Sequence, residues 1–582
     1  MLHMNIRFPP HPSKNLAVEL EHLVDQTFLR HPLPHPNRAI AIWYCLTASE
    51  DAQRIMFTDL GAHIPFGNII FYLDRYKYSM RYVLERISKE ARDFTFAEVP
   101  RQVVPKLYKR AAAIMSGGVD HALATQIFGA IHTGTGTVVR DKDAWRIRLD
   151  EAHHDKSYGA LELIGVPKPK TTDFAALLFQ WIRSPSTAPR AVNRIAASVR
   201  VDKALIAYEY QQDLAYELAQ HVPQPPPLIP VGWQFPWGGR AEVTLLLNSL
   251  SLRCLYHIVA IHFGARARGL RGGGAANIVL VIKREQLISE LASMSSLDGT
   301  KIRTFVDNLR LGYNTSTPDP ALQPIVPLGP NLYAVPCIHL LSSSQERNLL
   351  SLFARTQPSA FNSQSHLFEE DMVATLMSSN LPPRTERRAN ITVRVAGEKE
   401  EIDFVLVDRR DRRLLICELR WMLGPGDPRE VQNRKKECLK KVDQVRRKVT
   451  RLSTEPATVV AAALRNKGTG DTNDGWCVTG LVLIAGYGGT RSPDERFPII
   501  PVTLFEKAMS KASSLTTLAA WCHGSSWLPQ EGVHFRVASQ TIEIEGGTPL
   551  VLEGLSIPDS ASHFSSDAVA ILSKEETPKI QE

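Results

Sequence analysis

The 582-residue chain has no C-x-x-C pair, no uninterrupted apolar run of about 18 residues, no Gly-x-x-x-x-Gly-Lys-Ser/Thr loop and no repeat period in its amino-terminal half. Each absence removes a class. Seven widely spaced cysteines, an odd number, argue against a disulfide framework or a zinc knuckle and for a reducing compartment. The first residues, Met1 to Pro10, lack a basic segment followed by an apolar core, so no secretory signal is expected. With no membrane-length apolar run, no membrane partner is expected and the location reads as cytoplasmic. The histidine pair His153-His154 has no second ligand cluster near it, and solvated polar residues are the plainer reading.

Two carboxylates stand inside otherwise aliphatic strands. Glu401-Ile-Asp-Phe-Val-Leu-Val-Asp408 and Leu414-Leu-Ile-Cys-Glu-Leu-Arg420 flank the charged turn Arg409 to Arg412 and read as a hairpin. A hairpin centred between Arg410 and Asp411 pairs positions whose numbers sum to 821, which sets Asp403 opposite Glu418. Directly opposed like charges repel. A hard divalent cation relieves the repulsion, and Mg²⁺ is commonly held by one or two carboxylates with water and phosphate completing the shell. A salt-bridge cluster with the neighbouring arginines is the competing account. Strand alternation places Arg420 beside Glu418.

This order of residues resembles the PD-(D/E)-x-K nuclease superfamily, also called the restriction-endonuclease-like fold. The match is Asp403, Glu418 and Arg420, with Glu369 on the helix-like stretch Leu367 to Met377 as the family's preceding acid and Gln444 as the residue often carried by the following helix. The resemblance covers about residues 356 to 510. It implies a central mixed β-sheet flanked by helices, a Mg²⁺ or Mn²⁺ site built from Glu369, Asp403 and Glu418, and phosphodiester hydrolysis leaving a 5′-phosphate, with DNA as the expected substrate. Members serve restriction, repair, recombination and defence against phage, and a nuclease module behind a large helical region leans the reading toward defence.

One position departs from the family. Arg420 stands where a lysine is usual, and a guanidinium stabilises developing charge but cannot act as a base. Val431, Cys438, Val442, Val445, Val449 and Leu452 form a stripe at helical spacing, and Lys435 falls within it, which makes Lys435 a candidate for the displaced cation. Its bland alternative is a lysine snorkelling past the apolar edge. The catalytic set is thus read as Asp403, Glu418 and Arg420 or Lys435. A nuclease fold that has lost catalysis and serves as a nucleic-acid-binding scaffold is the second reading.

The net charge of +8 is concentrated. From Arg429 to Arg451 ten Lys or Arg stand against three Asp or Glu, a surplus of seven. Such a helix suits phosphates, through Arg434, Lys436, Lys440, Lys441, Gln444 and Arg447.

The length suits three or four domains. Residues 1–220 read as a mainly helical domain able to hold protein partners, 221–239 as a Pro-rich linker and 240–355 as a mixed α/β connection. Residues 356–515 form the nuclease-like domain, and 516–582 a carboxyl-terminal extension ending in a poorly ordered tail.

Overall fold

Strands that are apolar on both faces need cover on both sides, and residues 366–523 supply it. The computed structural model describes residues 12–57, 66–93, 102–150, 155–165, 173–202, 205–222, 227–270, 275–425, 428–465, 472–558, 561, 564–570 and 572. Helix α1 (His366–Ser378) precedes strands β1 (Glu386–Val395), β2 (Glu398–Asp408) and β3 (Arg413–Trp421). Helices α2 (Pro428–Leu452) and α3 (Pro456–Leu464), strands β4 (Cys477–Ala485) and β5 (Ile499–Pro501), and helix α4 (Val502–Lys511) come next. The sheet order is β1-β2-β3-β4-β5, antiparallel from β1 to β3 and parallel from β3 to β5.

Alternation sorts the sheet's side chains between two layers. Val405, Val407, Leu414, Ile416 and Val482 pack with Cys438, Val442, Val445, Val449 and Leu452 of α2 and with Val459 and Val460 of α3. Phe404, Leu406, Leu415, Cys417, Leu419 and Leu483 pack with Met372 and Leu376 of α1 and Phe505 and Met509 of α4. The stripe read from the sequence of α2 is therefore its sheet-facing side. Strand β1, not anticipated, alternates as a one-sided strand should, burying Ile391, Val393 and Val395.

The β2–β3 register runs from Phe404 opposite Cys417 to Asp408 opposite Arg413, every pair summing to 821. Asp408 ends the strand, its Oδ1 accepting the N–H of Arg410 (2.9 Å) and Asp411 (3.1 Å), and Arg412 takes a left-handed φ of 46°.

Elsewhere the domain boundaries shift. One hydrophobic core joins buried residues of 28–115 and 174–222 to those of 229–353 and reaches Phe368 and Leu423, so much of the expected helical domain shares a core with 240–355 rather than standing apart. The helix Arg240–Ala267 lies in it; it is long and apolar enough to cross a membrane by composition, with 83% of its apolar window buried against neighbouring helices. The 221–239 segment is not a spacer. Residues 223–226 lie outside the described residues, but Ile229, Trp233, Phe235 and Trp237 are buried, with Trp233 packed edge-on to Phe353, Phe361 and Phe368. Alternating large aromatics outweigh the flanking prolines, because burying each removes 150–250 Å² from water.

The carboxyl-terminal extension is also ordered differently from expectation. Strands Arg536–Ile542 and Leu550–Ser556 join Gly136–Arg140 and Trp145–Leu149 in a four-stranded sheet, Leu550 pairing parallel to Trp145. Helix Phe564–Ala570 buries Phe564, Ala568 and Val569 against the α4 layer. Residues 573–582 lie outside the described residues.

A buried acid ties the helical core together. Glu50, on the helix Arg38–Phe57, accepts the backbone N–H groups of Ile338 (2.7 Å) and His339 (2.9 Å). Burial pushes its carboxyl from 4.5 up to about 8, against the opposing pull of those hydrogen bonds. Between pH 4.5 and about 8 the folded chain therefore keeps a proton that the unfolded chain releases, so this contribution to stability is full at low pH and is lost as pH rises through that window. Glu50→Gln should flatten the urea-unfolding free energy over pH 6 to 8, removing a slope of about 1.4 kcal/mol per pH unit. An unchanged slope in the variant would contradict the assignment.

Candidate active site

The ladder between β2 and β3 stops at Phe404 and Cys417, and the next pair carries the two acids. There the strands part. Asp403 turns its Oδ2 onto the N–H of Leu419 at 2.8 Å. Alternation slips at this point, since Ile402 joins Val405 and Val407 in the α2 layer. On the other side of β2 the pairing skips Asn390, whose φ is 52°. The register is the same on either side of this point, so the opposed residues Asn390 and Asp403 both drop out of the ladder without a bulge.

Helix α2 brings two lysines down onto the pair. Lys441 Nζ lies 3.5 Å from Asp403 Oδ2 and 3.4 Å from Glu418 Oε2, and Lys448 Nζ is hydrogen-bonded to Glu418 Oε1. The side-chain exposures are 1% for Glu418, 9% for Lys448, 19% for Lys441 and 30% for Asp403, so one end of the cluster is sealed and the other meets solvent. Burial first, then the neighbouring Asp403, raises the Glu418 carboxyl above the usual range, while Lys448 and Lys441 oppose the rise. Two carboxylates face two ammonium groups, and the charges cancel locally.

The lysines reach this deep because α2 sits close against β4. A Cβ on Gly480 would lie 2.6 Å from Val449 Cγ2 and 2.7 Å from Val445 Cγ2. Gly480 pairs with Ile416, two residues before Glu418, and Val445 lies four residues after Lys441 and three before Lys448. The same helical face thus carries the valines that contact glycine and the lysines that contact acid.

Arg420 does something else. Its Nη1 lies 3.3 Å from Glu369 Oε1 on α1 and its Nη2 3.5 Å from Glu437 Oε2 on α2, bridging the two helices at the end of β3. Glu369 is therefore held by Arg420 and does not join Asp403 and Glu418 as expected. Among the described residues no group of three or more His, Cys, Asp or Glu side chains is arranged to hold a metal. Among the described residues two acids, Asp403 and Glu418, share the Lys441 ammonium.

Lys435 does not reach the pair either. Burial lowers its pKa against the pull of Asp150 and Asp155, which places it towards the end of the strand Trp145–Leu149 and the start of the helix Lys156–Gly165. It lies six residues from Lys441, which turns it away from the acids; Lys441 and Lys448, seven apart, share a face with Val445 and Leu452. Of the residues expected to meet nucleic acid, Lys436, Lys440, Gln444 and Arg447 are exposed. Lys440 also pairs with Glu437 at 2.6 Å, and Arg447 approaches the buried Glu400 at 3.7 Å. Arg434 is spent on structure, donating from Nε to the carbonyl of Leu423 at 2.8 Å.

Comparison finds no matching family model, curated protein or solved structure.

Two consequences can be measured. Lys448→Met leaves Glu418 with one distant partner and should cost about 3 kcal/mol in urea unfolding, while Glu418→Gln with Lys448→Met should cost clearly less than the sum of the single changes; additive costs would show the pair to be uncoupled. Gly480→Val forces α2 off the sheet and should cost about 1–3 kcal/mol, and a neutral result would mean that the helix tolerates displacement.

Proposed function

We propose that the chain is a metal-dependent nuclease of the PD-(D/E)-x-K type, in which Asp403 and Glu418 are the carboxylate pair and Lys441 replaces the lysine missing at position 420. The observation that carries this reading is the convergence of Asp403 Oδ2 and Glu418 Oε2 on one point, where a single ammonium lies within 3.5 Å of both. A place that already favours a cation, with two hard oxygen donors and an open side at Asp403, fits Mg²⁺ or Mn²⁺ held by two carboxylates, water and phosphate. The order of helix, three antiparallel strands, two helices and parallel strands in residues 366–511 supports the same reading.

The chain's residues divide the work. Asp403 and Glu418 supply the negative charge that holds the cation. A cation bound there would lower the pKa of an attacking water and neutralise phosphate charge. Lys441, partly exposed beside the pair, is placed to hold that water or a non-bridging phosphate oxygen. Arg420 offers a guanidinium for the same phosphate once Glu369 or Glu437 releases it. The exposed flank of α2, with Lys436, Lys440 and Arg447, suits contact with a nucleic-acid backbone.

A second reading, a non-catalytic nucleic-acid-binding subunit, draws on the complete neutralisation of both acids by lysines and on the engagement of Arg420 by carboxylates. The two separate cleanly. Purified protein with plasmid, linear duplex, single-stranded DNA and RNA in Mg²⁺ or Mn²⁺ should cut at least one substrate to 5′-phosphate ends, with losses of about 100-fold or more in Asp403→Asn and Glu418→Gln. Cleavage that survives both substitutions would remove the site assignment, and salt-sensitive binding without cleavage would leave the scaffold reading.

A further inference from the structure

We infer that Lys441 is a built-in counter-cation that competes with a divalent metal ion for the place between Asp403 and Glu418, so that metal binding requires the Lys441 ammonium to move out. The inference rests on the metal-dependent reading above and adds a mode of control to it.

The two lysines hold the pair differently. Lys448 is hydrogen-bonded to Glu418 Oε1 in the sealed end of the cluster. Lys441 makes only a long hydrogen bond to Glu418 Oε2, at 3.4 Å, and stands 3.5 Å from Asp403 Oδ2, so it is shared between the two acids and held less closely than Lys448. Asp403 and Glu418 are the residues that would hold a metal here, and Lys441 already faces one oxygen of each, while Asp403 Oδ2 also accepts the Leu419 N–H.

Charge counting points the same way. Two acids and two lysines sum to zero; a divalent ion added to all four leaves a surplus of two in a largely buried space. Departure of one ammonium lowers that surplus to one, and at such short range the like-charge repulsion is only weakly screened. Lys441 is the one able to leave, being more exposed than Lys448 and next to the partly exposed Asp403.

Glu437 can receive the displaced ammonium if Lys440, which is exposed, swings out to solvent. Glu437 lies one turn before Lys441 on α2 and 35% of its side chain is exposed; Arg420 and Lys440 now share it. Glutamate four residues before lysine is the favourable helical orientation for such a pair. Moved there, Lys441 sits beside the metal position instead of inside it, where it can hold a phosphate or water.

The test is Mn²⁺ binding to the full chain without nucleic acid, followed by electron paramagnetic resonance and calorimetry at pH 7.5. Lys441→Met should bind Mn²⁺ about tenfold or more tighter than the unaltered chain, and adding Asp403→Asn to it should abolish the gain. Lys441→Met should also unfold at lower temperature in metal-free buffer and recover on adding Mn²⁺; Lys441→Gln provides the same comparison if the methionine variant fails to fold. Equal or weaker Mn²⁺ binding in both variants, with binding retained in the unaltered chain, overturns the competition and leaves the nuclease reading standing. Failure of every form to bind Mn²⁺ overturns both.

Discussion

Burial of the Glu418 carboxylate is the constraint on which the rest of this unit depends. A charge removed from water must be matched nearby or neutralised, and breaking a buried pair costs more than the pair contributes. The match comes from α2, which approaches the sheet closely only because β4 carries glycine at position 480. A short chain of necessities links them: glycine in the sheet, valines against it, lysines on the same helical face, acids beneath the lysines. The result is a small neutral cluster, dry at Glu418 and wet at Asp403. Such a gradient of exposure lets one end be structural while the other stays available for chemistry.

The cluster is also anchored from outside its own sheet. Trp421, immediately after Arg420, stacks on Phe368 at 3.6 Å with an interplanar angle of 9°, and Phe368 meets the buried Trp233 of the helical body. Arg347 donates to the carbonyl of Gly424 at 2.8 Å and pairs with Glu430 at 3.3 Å, while Arg355 reaches the same Glu430 at 3.4 Å. Both arginines belong to the helix Gln345–Thr356, part of the large core. The segment joining β3 to α2 is thus clamped at its aromatic start and at the first turn of the helix that carries Lys441. The helical body contacts the first turn of the helix that carries the site's lysines.

Register was legible in the sequence because a two-residue period admits only two choices of face, and the turn fixes which. Asp403 and Glu418 could be set opposite each other by arithmetic on the turn. The helical stripe of α2 was equally legible, since its valines repeat at helical spacing. Which lysine reached the acids was harder to read. Lys435 fits the stripe's period near its start, but the acids lie under the middle of the helix, and only the close approach at Gly480 shows where that middle falls. Lys448, set among valines with Lys441 one heptad before it, was the signal to weigh more heavily. The pairing of Arg420 with Glu369 and Glu437 depends on three separate elements meeting, which no local pattern encodes. The proline-rich segment misled for a related reason: its local stiffness was visible, and the distant aromatic cluster that buries Trp233 and Phe235 was not.

The arginine at position 420 becomes coherent in this light. Two residues beyond Glu418 the strand is ending, and its side chain emerges between α1 and α2 instead of beneath α2. A lysine there would present one compact charge to two separate carboxylates; a planar guanidinium offers donors to both at once. The role of bridging the two helices therefore favours arginine at 420, and the role of facing the acid pair favours a flexible ammonium that enters from α2. Lys441, one turn beyond Glu437, fills the second role while its neighbour Glu437 serves the first. On the nuclease reading proposed above, the arginine at 420 and the lysine on the helix are two parts of one arrangement, linked through Glu437.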